Sequence, residues 1–458
     1  MNGDGLIDIF SVQSRRVDNK VTPGVLLINQ GNRTWKEDRS MMEYPTTMML
    51  TDADGDGVAN EIMMIRGYCF PQRDGPGVDP AHPEYGVYSD EVKAFCSSRP
   101  VGTTAIYKFN PTKQAMEEIS TNYHNIGPDS HLQPPCCLNG SHDGTMGCSA
   151  ISMISADLDN DLIADQVLLF HAKIVFYFSS DRPKKALPIG NGYQGLVLLL
   201  PKYCKGESVR ALDLNNDGNM NIFVMCKQPG AFAIYAQGST NKQWDLREDC
   251  SGNNSLKDIN DVSLAYPDLH QLFDNTDCDT QEFRHMKRIC NRFQKDGKYH
   301  RNGSPGLTLV DLNNDGFTDA VVSHNFGYLR FFYNTPSELD RGNRFITFKL
   351  KGNGIDNNVY GIGATLILVT LHSDGWQRKQ FREVSFHQHT SNSGYQDDRI
   401  TFGLGTDFIP SRLEVMWPNG FLQVSFLRQW EFTGSLKLLE IHDETGKSKI
   451  LSLFDLFR

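Results

Sequence analysis

The chain contains no apolar run long enough to cross a bilayer: its longest, such as residues 196–200 and 364–371, fall far short of about 18 residues. It has no surplus of basic charge either. With 45 Lys and Arg against 55 Asp and Glu, the net charge is −10, which excludes nucleic acid as a main partner because phosphate neutralisation needs excess cations. Its ten cysteines include no C-x-x-C pair, so the usual zinc-ribbon and thioredoxin spacings are missing. G-x-S-x-G, H-E-x-x-H and P-loop signatures are missing as well. Apolar residues are not scarce: 39% hydrophobic and 22% charged over 458 residues describes a folded globular protein, with length for two or three domains.

The acidity is patterned. A motif D-x-[DN]-x-D-G-x-x-[DN], followed at once by an apolar run, recurs along the chain. The first complete copy has Asp52, Asp54, Asp56 and Asn60, followed by Ile62-Met63-Met64-Ile65. The second has Asp157, Asp159, Asp161 and Asp165, with Leu162 in place of the glycine, before Val167-Leu168-Leu169-Phe170. The third has Asp213, Asn215, Asp217 and Asn221 before Ile222-Phe223-Val224-Met225, and the fourth Asp311, Asn313, Asp315 and Asp319 before Ala320-Val321-Val322. The chain opens inside a further copy, with Asn2, Asp4 and Asp8 before Ile9-Phe10. An aspartate is expected immediately upstream of Met1, with an export signal before it.

Alternate oxygens over a tight turn suit a hard cation. Ca²⁺ takes about six to eight oxygens, and side chains at positions 1, 3, 5 and 9 with a backbone carbonyl can wrap one ion. Glycine at position 6 supplies the positive φ that turns the chain back. The loops are not EF-hands, because position 12 is Met63, Leu168, Val224 or Val322 where an EF-hand needs a glutamate. Short, apolar, often β-branched runs flank each loop, so each unit reads as strand, calcium loop, strand. Residues 25–28 with Thr34-Trp35, 231–235 with Gln243-Trp244, and 328–333 read as hairpins.

Taking the missing first ligand as position 0, the loops begin at 0, 52, 157, 213 and 311. The long intervals are close to double the short ones, which match a propeller blade of about 40 to 50 residues. Two blades without calcium ligands would then start near 105 and 262. Large insertions in single blades, around 69–96 and 250–290 with a short helix at 282–293, explain the same spacing. Both readings stand on the sequence alone.

Four N-x-S/T sequons, at Asn32, Asn139, Asn253 and Asn302, lie in turn-like sequence. With an even number of cysteines in irregular segments, they point to an oxidising, secretory setting.

The repeated loop resembles the calcium loop of FG-GAP and related repeats of integrin α propellers. Residues 344–441 resemble the ASPIC/UnbV domain through Gly361-Ile362-Gly363-Ala364, Arg382-Glu383-Val384, Gly394-Tyr395-Gln396, Phe402-Gly403-Leu404-Gly405 and Trp417-Pro418-Asn419-Gly420. Repeats followed by this domain are the arrangement of the cartilage acidic protein-like family, although the G-A-P tripeptide and an EGF-like tail are missing. The resemblance implies an all-β chain: a β-propeller of seven blades, N-terminally incomplete, over 1–340, a β-sandwich-like ASPIC/UnbV domain over 341–445, and a tail over 446–458. It further implies a secreted calcium-binding glycoprotein that meets a matrix or cell-surface protein or glycan.

An enzyme needs a convergent site, and His387-Gln388-His389 is the nearest approach, with no third ligand at metal spacing. Carboxylates held by a metal are not free for proton transfer. The chain is expected not to be an enzyme, with a calcium-dependent polysaccharide hydrolase or lyase as the alternative. In oxidised protein, Cys69 should pair with Cys96, and Cys148 with Cys136 or Cys137. A thiol count on denatured, unreduced protein from a secreting host should fall well below ten; ten free thiols overturn both the bonds and the compartment.

Overall fold

The computed structural model describes residues 6–11, 16–17, 20–21, 25–38, 45–66, 104–113, 115–119, 150–170, 173–179, 196–200, 206–226, 232–237, 244–250, 271–275, 306–323, 329–335, 340–385, 393–396, 398–427, 438–442 and 448–451. Among these, every element except the 3-10 turn Asp340–Gly342 is a strand. No helix among them is long and apolar enough to cross a membrane. The sequons at Asn139, Asn253 and Asn302, the histidines 387 and 389, the segment 282–293 and the proposed disulfides lie outside the described residues or side chains.

Five sheets follow one another along the chain. Sheet I joins Ile9–Ser11, Val25–Asn29 and Trp35–Asp38. Sheet II joins Pro45–Thr51, Glu61–Arg66, Thr104–Asn110 and Ala115–Glu118. Sheet III joins Ser152–Ala156, Asp165–Leu169, Lys173–Tyr177 and Leu196–Leu199, and sheet IV joins Gly206–Leu212, Asn221–Cys226, Phe232–Gln237 and Trp244–Cys250. Each of these three is an antiparallel meander in chain order. Sheet V departs from that order: Gln271–Asn275 precedes the loop in sequence yet pairs outside Leu329–Thr335, which lies beside Asp319–Ser323 and Gly306–Val310.

The apolar runs after each loop become intelligible in this stack. Successive side chains of a strand point to opposite faces, so a strand with a sheet on each side must be apolar throughout. Ile62 and Met64 pack towards Leu26 and Ile28 of sheet I, while Met63 and Ile65 pack towards Met153, Leu168 and Val175 of sheet III. Val167 and Leu169 pack towards Val209, Ile222 and Val224 of sheet IV, whose Phe223 and Met225 meet Leu307 and Ala320 of sheet V. Each sheet therefore buries its faces against its neighbours in sequence.

The pairing bears on the spacing alternative at two places. The segment near 105 is not a separate sheet: Thr104–Asn110 pairs with Glu61–Arg66 as the third strand of sheet II. Residues 271–275 join sheet V by pairing with Leu329–Thr335. The seven blades expected from the spacing reduce to five repeat sheets among the described residues, and no described strand pairing joins sheet I to sheet V.

Residues 344–451 form a sandwich. One sheet orders Arg399–Gly405, Arg344–Lys351, Leu438–His442 and Ser448–Leu451; the other orders Gln377–Glu383, Thr365–His372, Phe408–Met416 and Leu422–Phe426. Phe348, Phe402, Leu366, Leu413, Val415 and Trp417 fill the space between, and Trp417 Nε1 donates to Gln423 Oε1 at 2.8 Å so that its polar edge is satisfied. Ser448–Leu451, expected as tail, is an edge strand of this domain. Ser393–Gln396 leaves the sandwich and pairs in parallel with Gly306–Val310 of sheet V.

The sandwich sits against the loop ends of the stack. Ala59 N donates to Gly363 O at 3.0 Å, Thr365 Oγ1 to Gly57 O at 2.7 Å, and Gly405 N to Asn216 O at 2.8 Å. Gly403 lies so close to the third loop that a Cβ there would overlap Asp213 Oδ2 and the Asn216 backbone. Gly403→Ala should therefore lower stability by about 1–3 kcal/mol, the usual cost of overpacking. Chemical denaturation checks this, and wild-type stability in the variant would mean the close approach does not form.

Candidate metal centres at the sheet ends

Each complete loop connects two adjacent antiparallel strands of its sheet, and the four share one hydrogen-bond scheme. The first aspartate accepts the backbone N–H groups of positions 5 and 6: Asp52 from Asp56 and Gly57, Asp157 from Asp161 and Leu162, Asp213 from Asp217 and Gly218, Asp311 from Asp315 and Gly316. The fifth-position carboxylate accepts from position 7, as Asp161 does from Ile163 N at 2.9 Å. These bonds curl the turn back on its first aspartate.

The backbone must turn left twice to do this. Position 6 has φ of +88° at Gly57, +93° at Gly218 and +88° at Gly316, and Leu162 adopts +71° in the second loop. A side chain in that region costs about 1–2 kcal/mol, so this loop holds its geometry against strain. Position 4 is also left-handed, at Gly55, Asn160, Asn216 and Asn314. Glycine and asparagine are the residues that tolerate it, a signal present in the sequence at every copy.

Position 9 ties the loop to the strands around it. Asp165 Oδ2 accepts Leu158 N at 2.8 Å and its Oδ1 accepts Ser179 N at 2.6 Å; Asp319 does the same with Leu312 N and Asn334 N. Asn221 Oδ1 accepts Leu214 N at 3.0 Å. In the first loop this role belongs to Glu61 and not to the expected Asn60, because Glu61 Oε2 accepts Ala53 N at 3.0 Å. The register explains the shift. Thr51 pairs with Glu61, whereas Ala156 pairs with Asp165 and Val310 with Asp319, so the first turn is one residue longer. Asp8 behaves as a ninth-position residue should, its Oδ1 accepting Asn29 N at 2.9 Å; Asn2 and Asp4 lie outside the described residues.

Two loops gather three carboxylates with oxygens within 4.8 Å of one another: Asp52, Asp54 and Glu61 in the first, and Asp157, Asp159 and Asp165 in the second. The second set is buried, at 2%, 7% and 0% exposure. Burial pushes the Asp165 carboxyl up to about 8 and, with Asp161 beside it, the Asp157 carboxyl up to about 7. Burial and Asp217 raise Asp213 likewise, against the pull of Arg382 and Arg378. A donor set of clustered, buried carboxylates with no nitrogen or sulfur fits a hard divalent cation. In the third and fourth loops Asn215, Asn221 and Asn313 replace carboxylates, lowering the charge while keeping oxygen donors.

The sandwich brings cations to this edge. Arg382 is half-buried and interacts electrostatically with both Asp213 and Asp157. Arg378 Nη1 donates to Asp217 O at 2.7 Å, and Arg399 donates to Asp311 O and Asn314 Oδ1 at 3.1 and 3.0 Å. Glu383 Oε1 accepts Asp52 N at 2.9 Å, and burial raises its carboxyl to about 7. Loop spacing carried no sign of these residues, which are more than 80 positions away in sequence.

Residues 354–444 match the family described as ASPIC and UnbV, so the sandwich is an ASPIC/UnbV domain. No curated protein matches the chain. Among solved structures, the Tc holotoxin pore of Photorhabdus luminescens is similar at 12% identity with a TM-score of 0.22, covering 81% of this chain and 14% of that one. The Vibrio cholerae biofilm matrix protein Bap1 is similar at 9% identity with a TM-score of 0.23, covering 97% of this chain and 76% of that one.

The raised carboxyls fix a pH dependence for the metal-free protein. Unfolded aspartate titrates near 4, so between about pH 4 and 8 the folded state binds more protons than the unfolded one. That stabilising proton binding is full below pH about 4 and is lost as pH climbs through 7 to 8, the range of Asp157 and Asp165. In excess chelator the melting temperature should fall from pH 5 to 8, and Asp165→Asn should flatten the fall. A flat wild-type profile would show that these carboxylates do not hold protons in the fold.

Proposed function

We propose that this chain is a secreted calcium-binding protein of FG-GAP-type repeats, similar to the cartilage acidic protein-like family, in which Ca²⁺ staples the sheets of a propeller-type scaffold. Its role is interaction with a matrix or cell-surface protein or glycan, not catalysis. The observation that carries the calcium reading is the set Asp157, Asp159 and Asp165, three buried carboxylates with oxygens within 4.8 Å. Such a set lies too deep to present a substrate to a metal, and its ninth-position member bonds both to its own loop and to the segment after Lys173–Tyr177, which favours a structural ion. Bound there, the ion supplies charge neutralisation and fixes the angle between the strands that the loop connects.

Secretion is supported by the cysteine content and by Asn32, a sequon residue exposed in the turn between Val25–Asn29 and Trp35–Asp38. The interaction role rests on the resemblance of the repeats and the ASPIC/UnbV domain, and on the frequency with which loops of rigid scaffolds bind partners.

Extracellular sites bind Ca²⁺ at about 10⁻⁴ to 10⁻³ M, so at tenfold saturation one site adds about 1.4 kcal/mol. Millimolar Ca²⁺ should thus raise the melting temperature by about 2–4 °C for each occupied site. Asp159→Asn should remove one site's share and leave the melting temperature in EDTA unchanged or higher, since it deletes a repelling charge. An equal loss with and without calcium would make Asp159 an ordinary turn residue. Binding to an array of matrix proteins and glycans, run beside a glycan-turnover assay, tests the interaction role.

A further inference from the structure

The first complete loop differs from the other three in what lies at its centre. Lys108, on Thr104–Asn110, places Nζ 2.6 Å from Asp54 Oδ2, 2.8 Å from Asp56 Oδ2 and 2.8 Å from Glu61 Oε1. An ammonium has three donors and no acceptor; here it donates to Asp54 and Asp56, with the Glu61 carboxylate at ion-pair distance. The contacts to Asp56 and Glu61 are longer than the roughly 2.3–2.6 Å at which Ca²⁺ holds oxygen, as suits an ammonium. We propose that the ammonium of Lys108 is a built-in cation at the metal position of this loop, closing it without calcium, while the loop at 157–165 requires the ion.

Among the described residues, the strand register gives the other complete loops no counterpart of this lysine. Ile62 pairs with Tyr107, so Lys108 stands opposite Glu61, which takes the ninth-position role in its loop. Continuing the equivalent registers puts Phe178 opposite Asp165 and Tyr333 opposite Asp319, and Ala236 pairs with Asn221 directly. None of these carries a charge. The longer first turn belongs to the same device: its extra residue puts a glutamate, one methylene longer than aspartate, where its Oε1 reaches the ammonium while its Oε2 still accepts Ala53 N. Asp52 remains bound to the backbone N–H groups of Gly55, Asp56 and Gly57, so the turn keeps its calcium-loop shape around a different cation.

This inference rests on the calcium reading for its contrast between loops, and hydrogen–deuterium exchange of the intact chain separates the two. In wild type, peptides covering 52–61 should exchange equally in EDTA and in millimolar Ca²⁺, while peptides covering 157–165 slow about tenfold or more with calcium. Lys108→Met should speed exchange of 52–61 about tenfold in EDTA, and Ca²⁺ should restore the protection by entering the vacated site. Calcium protection of 52–61 in wild type as large as that of 157–165 would overturn the proposal, as would unchanged exchange of 52–61 in the EDTA-treated variant. If 157–165 ignores calcium, the calcium reading fails, and the EDTA comparison of variant with wild type decides the role of Lys108 alone. The wild-type comparison stands even where the variant does not fold.

Discussion

The constraint on which this structure turns is the burial of carboxylates at the ends of sheets. Each repeat uses an aspartate to organise the turn between two adjacent strands, because one carboxylate can accept two adjacent backbone N–H groups and so close the chain on itself. That turn fixes which residue faces which across the strands, and a one-residue slip would exchange the faces of a strand packed on both sides. The neighbouring sheets then exclude water from the same carboxylates, as the full burial of Asp165 shows. Charge brought into a dry site is costly unless a cation accompanies it. Fold and cation demand are therefore two consequences of one choice of side chain.

The ASPIC/UnbV domain answers part of that demand. Its most recognisable residues are contact residues: Gly363, Arg382-Glu383, Gly403 and Gly405 all meet the loops of sheets II, III and IV. The glycines permit the backbone to approach a loop more closely than any side chain would, and the arginine supplies charge between two of them. A motif that reads as a property of the domain alone is thus also a description of the surface it covers. Gly394-Tyr395-Gln396 extends the same logic, as part of a segment that adds a strand to the edge of sheet V.

Much of this was legible in the sequence, and for a physical reason. Loop ligands must alternate within nine residues, and a strand buried on both faces must be apolar without interruption, so both leave local marks. The sandwich was legible through its motifs. What could not be read is what depends on distant pairing. Asn60 and Glu61 are adjacent acceptors, and only the pairing of Thr51 with Glu61 decides between them. Lys108 reaches its loop across a long insertion, and Arg378 and Arg382 reach theirs from another domain. That Thr104–Asn110 pairs with Glu61–Arg66 and Gln271–Asn275 with Leu329–Thr335 is likewise something that interval arithmetic does not contain.

The loops then differ in how each one meets the same electrostatic cost. The first has an ammonium of its own chain among its carboxylates. The third and fourth trade carboxylates for amides and receive Arg378 and Arg399 at their backbone carbonyls. The second keeps four aspartates, has Leu162 at φ of +71° where the others have glycine, and shares Arg382 with the third. Among the complete loops it carries the most aspartates and the one non-glycine at the left-handed sixth position, and it lies in sheet III, in the middle of the stack. Because each sheet is packed against its neighbours, loosening this one would expose apolar faces of both sheets II and IV. A cation at the second loop therefore acts on more of the structure than a cation at any other, which makes it the place where divalent-ion concentration and global stability are most strongly linked.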